Sequence, residues 1–229
     1  MRLQSRLLAT TAAALSMVAI PLSAADMTVA DLRLGVGVLS QEFKGESTTT
    51  ISDQSGNLVS NRSDEDTRDA DRNARIQVQF VAGSLGAGGG LIWGAGVAVN
   101  NATWDDGGQE AHITTPVINV LLGYGYAFTP NWHAEVTPFA GYGRGYFSVS
   151  DDNSTETSEE WIDYLEYGIK VGTYVSLAES LVLGVEVPYL VGRFDPEYDY
   201  TDNGNQEVTV SDEQRNQGFG LLMTIGMRF

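Results

Sequence analysis

The chain has 229 residues and is strongly acidic, with 30 Asp and Glu against 13 Lys and Arg and a formal net charge of −17. This balance argues against a nucleic-acid partner, because binding to the phosphate backbone requires a basic surface. The chain has no cysteine, which excludes disulfides and lipid attachment through a cysteine, and its length is compatible with one domain.

The first 25 residues have the pattern of a secretory signal peptide. Two arginines precede an apolar run over 7–20, and small residues at 23–25 offer a cleavage site. The apolar run is shorter than the ~20 residues that a membrane-spanning helix needs. We therefore predict a signal peptide over 1–25 and a mature domain over 26–229.

Beyond the signal peptide, apolar and polar residues alternate, which predicts β-strands, since a strand turns successive side chains to opposite faces. No segment has a convincing helical period. Eight strands are predicted, over 31–43, 74–84, 91–104, 112–128, 132–149, 161–177, 181–194 and 219–229. Each is long enough for the ~9–11 residues of a tilted membrane strand.

Each predicted strand has one apolar face and one face of small or polar residues. In chain order, the apolar faces begin at Leu32, Ile76, Leu91, Ile118, Ala134, Leu165, Leu183 and Phe219. The opposite faces are rich in glycine and carry only a few charged residues. This division predicts that every strand contacts two different environments.

The connections between the predicted strands differ in length and character. Three are short, at 85–90, 129–131 and 178–180. Four are polar and mostly longer, at 44–73, 105–111, 150–160 and 195–216, and they hold most of the acidic residues. An up-and-down barrel with an even number of strands has both termini and its short turns at one end and its long loops at the other.

The predicted fold is therefore all-β, an eight-stranded antiparallel up-and-down transmembrane β-barrel. We place it in the bacterial outer membrane, with both termini periplasmic and the acidic loops extracellular. A soluble barrel of the lipocalin kind is the alternative, but its outward face meets water. A glycine-rich face with sparse charges is a poor surface for water and a good filling for a narrow lumen.

Aromatic residues near the strand ends also favour a membrane barrel, because aromatic girdles mark the two membrane interfaces. The predicted girdles consist of Trp93, Tyr126, Phe128, Trp132 and Phe229 at the turn end, and of Trp104 and Trp161 at the loop end.

The last predicted strand ends on an aromatic residue that is preceded by apolar residues at alternate positions: Leu221, Met223, Ile225, Met227 and Phe229. With the eight alternating segments, this ending resembles the small eight-stranded outer-membrane barrels of the OmpA transmembrane domain and OmpX class. The resemblance implies that these five residues form the C-terminal assembly signal, and that the barrel-assembly machinery is a partner during insertion. The resemblance covers the mature chain. Its motifs are specific for location and architecture and say little about activity.

Seven charged residues are predicted to face the lumen and to form ion pairs there: Arg33, Arg75, Glu135, Glu166, Lys170, Glu186 and Arg228. Buried charges must be paired, because an isolated charge in a medium of low dielectric is costly. Glu166 and Lys170 can share one wall, and Arg228 is a candidate partner for an inward glutamate. Eight strands leave an interior that side chains just fill. We therefore interpret the pairs as a structural plug, with a gated ion pathway as the alternative.

The sequence predicts no catalytic, cofactor-binding or metal-binding residues. The lipid A deacylases of this barrel size use a His-x-Ser pair, which neither His112 nor His133 has, and the two histidines are predicted at opposite ends. His112 with nearby acids could imitate a hydrolase dyad, but a solvated loop histidine is the simpler interpretation. The acidic loops lack the ordered spacing of a calcium-binding EF-hand. Divalent-cation bridging from these loops to lipopolysaccharide phosphates is a weaker hypothesis.

These observations predict a non-enzymatic outer-membrane protein with a structural or surface-interaction role, in contact with outer-membrane lipid and lipopolysaccharide. A small porin-like channel for ions or small solutes is the alternative, and a lipid-A-modifying enzyme is the third hypothesis. The sequence identifies no cofactor and no extracellular partner.

Overall fold

The computed structural model describes residues 27–52, 58–86, 88–105, 109–151, 157–194, 197–201 and 207–229. The predicted signal peptide lies outside these residues. Within the described residues, no helix has the length and apolarity needed to cross a membrane.

The described residues form ten strands in one sheet. In chain order they are β1 (Met27–Ser52), β2 (Leu58–Asp69), β3 (Arg72–Leu85), β4 (Gly90–Asp105), β5 (Gln109–Thr129), β6 (Trp132–Asp151), β7 (Thr157–Ser176), β8 (Leu181–Phe194), β9 (Glu197–Thr201) and β10 (Glu207–Arg228).

Eight of these strands close into an antiparallel ring in the order β1-β3-β4-β5-β6-β7-β8-β10. The ring is closed by β1 and β10, whose pairing runs from Asp31 opposite Arg228 to Ser52 opposite Glu207. Closure leaves no unpaired edge within the ring, so the backbone groups of each strand find partners on both sides. The predicted eight-stranded up-and-down barrel is confirmed.

Short turns join the strands at one end of the ring, which we call the turn end. The turn between β3 and β4 is closed by hydrogen bonds between Gly86 and Gly89. Gly89 has a φ of 89°, in the left-handed region that glycine adopts at no steric cost. The other end of the ring, where the polar connections lie, is called the loop end.

At the loop end, a sheet rises beyond the ring. The upper part of β1 pairs with β2 on one side and with β10 on the other, and β10 in turn pairs with β9. The result is a four-stranded extension in the order β2-β1-β10-β9. The polar connections predicted at 44–73 and 195–216 are therefore wrong as loops, since most of their described residues are strand.

The side chains of the ring divide as the alternation predicts. The outer face exposes the large apolar residues of every ring strand, including Leu34 of β1, Leu122 of β5 and Met223 of β10. The inner face buries polar and charged residues. A water-soluble barrel has the opposite arrangement, whereas an apolar outer band is the surface of a barrel in lipid.

The lumen network as candidate functional site

All seven predicted lumen residues lie on the inner face of the ring. Six of them are at most a few per cent exposed. The side chain of Arg228, at the turn end, is 12% exposed. These seven residues belong to β1, β3, β6, β7, β8 and β10, which are six of the eight ring strands.

The first cluster lies at the turn end and is built around Arg33. Its guanidinium donates to Glu135 at 2.7 and 2.9 Å and to Asp31 at 2.9 Å. Asp31 also accepts from Arg228 at 2.7 Å, and Glu135 contacts His133 Nε2 at 2.9 Å. Arg228 was expected to pair with a glutamate. Its partner is Asp31 instead, because the register of β1 and β10 sets these two residues opposite each other.

The second cluster is built around Glu186 in the middle of the bore. Lys170 Nζ lies 3.0 Å from one carboxylate oxygen, and Gln77 donates to the same oxygen at 2.7 Å. The other oxygen accepts from the Tyr174 hydroxyl at 2.8 Å and from Thr224 at 3.2 Å. The Glu186 carboxylate is therefore fully hydrogen-bonded, which is the condition for keeping a charge out of water.

Tyr174 connects the first cluster with the second. The Arg33 guanidinium lies 3.8 Å from the centre of its ring, and the His133 ring is stacked on it at 5.1 Å. Gly172 and Gly184 leave the space that the ring occupies, since a Cβ at either position would meet it. Glycine on the inner face is thus required here by the close approach of an aromatic side chain.

The third cluster pairs Arg75 with Glu166 through two parallel hydrogen bonds of 2.9 and 3.0 Å. Asn100 bonds to both partners, accepting from Arg75 at 2.8 Å and donating to Glu166 at 3.0 Å. Arg75 also donates to Gln77 at 3.2 Å, which joins this cluster to the second. Glu166 and Lys170, expected along one wall, thus have different partners.

The charges of the lumen network are balanced. It contains four acids and four bases, namely Asp31, Glu135, Glu166 and Glu186 with Arg33, Arg75, Lys170 and Arg228. A balanced, hydrogen-bonded set can be buried without a net charge in the bore. The bidentate arginine–carboxylate pairs also fix the geometry of the side chains that meet across the bore.

Apolar side chains close the bore above the network at the loop end. Buried Phe43, Ile113, Tyr164 and Phe194 belong to one cluster, on which Trp104 and Phe147 pack. The Trp104 ring lies 4.9 Å from that of Phe43 and 6.3 Å from that of Phe147. The prediction that Trp104 belongs to the outer girdle is therefore wrong. Trp104 shares the face of buried Ala102, two residues away, and so points inward.

The space left in the middle of the bore is small. A cavity of about 10 Å³ lies among Arg75, Gln77, Gln79, Lys170 and apolar neighbours. A cavity needs at least ~10–15 Å³ to hold a single water molecule. The network and the apolar cluster therefore occupy the bore at this level, around a cavity with room for about one water molecule.

The two histidines lie at opposite ends of the barrel. His133 is buried at the turn end against Glu135 and Tyr174, whereas His112 lies at the loop end with its Nδ1 3.0 Å from the Thr103 hydroxyl. Among the described residues, no group of three or more acids and histidines is placed to hold a metal ion. Several residues of the acidic loops lie outside the described residues.

Sequence reasoning missed several members of the network, although the signal for them was present. Asp31 and His133 share the inward parity of Arg33 and Glu135 on their own strands, and Tyr174 shares that of Lys170. Gln77 and Gln79 share the inward parity of Arg75 on β3. Counting every polar residue of inward parity, and not only the charged ones, would have found them.

A closed antiparallel ring with an apolar exterior and a polar, filled interior defines a β-barrel of the outer-membrane type. No protein-family model matches the chain, and no curated protein matches its sequence.

The chain is similar to three solved outer-membrane structures at low identity. For Ail, the attachment invasion locus protein of Yersinia pestis, the identity is 10%, the coverage 84% of this chain and 99% of the other, and the TM-score 0.32. For neisserial surface protein A, the identity is 8%, the coverage 78% of this chain and 96% of the other, and the TM-score 0.34. For OprG from Pseudomonas aeruginosa, the identity is 11%, the coverage 89% of this chain and 97% of the other, and the TM-score 0.32. These scores are too low to carry an argument, so the class rests on the strand pairing and the exposed faces of this chain.

Proposed function

We propose that the chain is an integral protein of the bacterial outer membrane, whose bore is closed by its own side chains. Its role is structural or surface-interactive: it stabilises the envelope and presents the four-stranded extension and the acidic connections to the exterior. The turn end and both termini of the barrel lie on the periplasmic side.

The apolar outer band supports the membrane location. On β10 the outward residues from Phe219 to Phe229 are all apolar and at least half exposed. They span ten steps of ~3.3 Å, which at a tilt of ~40° amount to ~25 Å along the membrane normal. This is the height of the apolar band of an outer-membrane barrel.

The closed bore is the single observation that carries the proposed role. Four buried ion-pair partners of each sign and the apolar cluster occupy the interior, and the cavity between them is about 10 Å³. A pathway for solutes would require these pairs to separate, which leaves buried charges without partners. A structural or surface role needs no such opening.

Single-channel recording of the refolded protein in planar bilayers tests this role. We expect no steady, reproducible openings, because the pairs hold the bore closed. A barrel with an open bore, incorporated by the same procedure, shows that the recording detects conduction. Reproducible openings of the wild-type protein would contradict the closed bore and favour the channel alternative.

A further inference from the structure

Three basic residues lie side by side on the outer surface of the barrel, at the loop-end border of its apolar band. Lys44 of β1 is paired with Arg215 of β10, and Arg215 is paired with Arg193 of β8. All three are exposed. We call these three residues the basic row.

The basic row is unexpected in so acidic a chain. Basic residues number 13 in the whole sequence, against 30 acidic ones. Like charges directly opposite each other on neighbouring strands destabilise a sheet. The three residues already have interaction partners, since Lys44 lies 3.2 Å from Glu42, and Arg193 and Arg215 also make contacts. An anion held between the three cations would offset their mutual repulsion.

The depth of the row corresponds to the polar surface of the outer leaflet. Phe219, whose ring lies 4.8 Å from that of Tyr189, ends the apolar band on β10, and Val191 ends it on β8. Arg215 follows Phe219 by four residues toward the loop end, and Arg193 follows Val191 by two. Two to four residues of a tilted strand rise ~5–10 Å, and the long side chains of arginine and lysine can reach back toward the membrane.

We propose that Lys44, Arg193 and Arg215 bind the phosphates of lipid A in the outer leaflet. Guanidinium groups bind phosphate oxygens in a bidentate manner, and a row on three adjacent strands can contact more than one phosphate. This inference rests on the proposed location in the outer membrane.

The acids above the row favour a lipid phosphate over a soluble anion. Glu46 is paired with Glu65, and both line a groove of about 200 Å³ together with Lys44 and Arg215. They lie toward the solvent side of the row, so they repel an anion that approaches from water. A phosphate fixed in the membrane approaches from the opposite side, where Glu42 is already paired with Lys44 at 3.2 Å.

The test is a titration of the refolded barrel in detergent micelles with bisphosphorylated lipid A. Each basic residue near an anionic lipid contributes about fivefold to binding. Replacing all three by glutamine (Lys44→Gln, Arg193→Gln and Arg215→Gln) should therefore weaken the apparent affinity about 100-fold. Lipid A stripped of its phosphates, and phosphatidylglycerol, should bind much more weakly than bisphosphorylated lipid A.

A matched variant removes the same charge elsewhere. Arg62→Gln, Arg72→Gln and Arg144→Gln change exposed arginines on β2, β3 and β6, and should leave the affinity within a few-fold of the wild type.

The inference is overturned if this control loses as much affinity as the basic-row variant, if the basic-row variant binds normally, or if either comparison lipid binds equally well. A folded barrel that does not bind lipid A removes this inference alone. A chain that does not fold in detergent removes the proposed location as well.

Discussion

Arg33 is the central side chain of the cluster at the turn end of the lumen network. Its guanidinium binds Asp31 and Glu135 and lies over the ring of Tyr174, with 1% of the side chain exposed. Arginine suits this position because its planar group binds a carboxylate in a bidentate manner and also stacks on an aromatic face. Removing it would leave Glu135 buried with His133 as its one hydrogen-bond partner among the described residues.

We expect Arg33→Met to lower the free energy of unfolding by about 3 kcal/mol, since breaking a buried ion pair leaves an uncompensated charge. Urea unfolding of the refolded barrel in detergent, followed by tryptophan fluorescence, measures this value. The double variant Arg33→Met with Glu135→Gln removes both charges and should be more stable than the single variant. A double variant that loses the sum of the two single effects would contradict the pairing.

Residue identity and strand parity together were enough to place every predicted charge on the inner face. They were not enough to assign its partner. Arg33 and Glu135 are 102 positions apart, and Arg75 and Glu166 are 91 apart. Such pairs meet across the bore only when the ring has closed with one particular register. No local pattern around either residue contains that information.

At the scale of the element, β1 and β10 are the longest strands and extend beyond the ring. Burial alternates strictly along β1 as far as Phe43, and beyond it the residues are partly exposed on both faces. The alternating pattern therefore ends where the strand leaves the ring, although the strand itself continues. This is why the sequence predicted loops where the structure has β2, β9 and the upper parts of β1 and β10.

The end of β10 is the place where the predicted assembly signal can be tested. The Phe229 N–H donates to Ala30 O at 2.9 Å, so the last residue is joined to β1, while its side chain is 75% exposed on the lipid face. We expect Phe229→Ser to reduce the amount of folded protein in the outer membrane of cells severalfold. Refolding of the same variant in detergent should proceed normally, because an exposed side chain contributes little to packing.

Phe219→Ser is the matched control for this variant. It makes the same substitution on the same strand and the same lipid face, at the other edge of the apolar band, where the side chain is 62% exposed. If the two variants reach the outer membrane in equal amounts, the terminal residue is not a specific signal.

At the scale of the whole molecule, the distribution of side chains is inverted relative to a soluble protein. Large apolar residues cover the exterior of all eight ring strands, and charged residues fill the interior. Soluble monomers rarely expose apolar patches larger than a few hundred Å². The ring therefore requires an apolar solvent, although within it each backbone group has its strand partner.

We expect the purified protein to fold only with detergent or lipid and to show a far-ultraviolet circular dichroism spectrum dominated by β structure. Unheated and boiled samples should migrate differently on a detergent gel, because the closed ring resists unfolding until it is heated. A chain that folds to a monomer in buffer without detergent would contradict the membrane barrel.

The sequence by itself determined which residues face outward and which face the bore, because successive side chains of a strand point to opposite faces whatever the strand pairs with. It also determined the antiparallel pairing of the strands joined by the three short turns, since a short turn permits only neighbouring strands to pair. The tertiary structure decided the partners of the lumen charges, the extension above the ring and the alignment of Lys44, Arg215 and Arg193. Each of these depends on the register between strands distant in the chain, and register is a property of the closed ring.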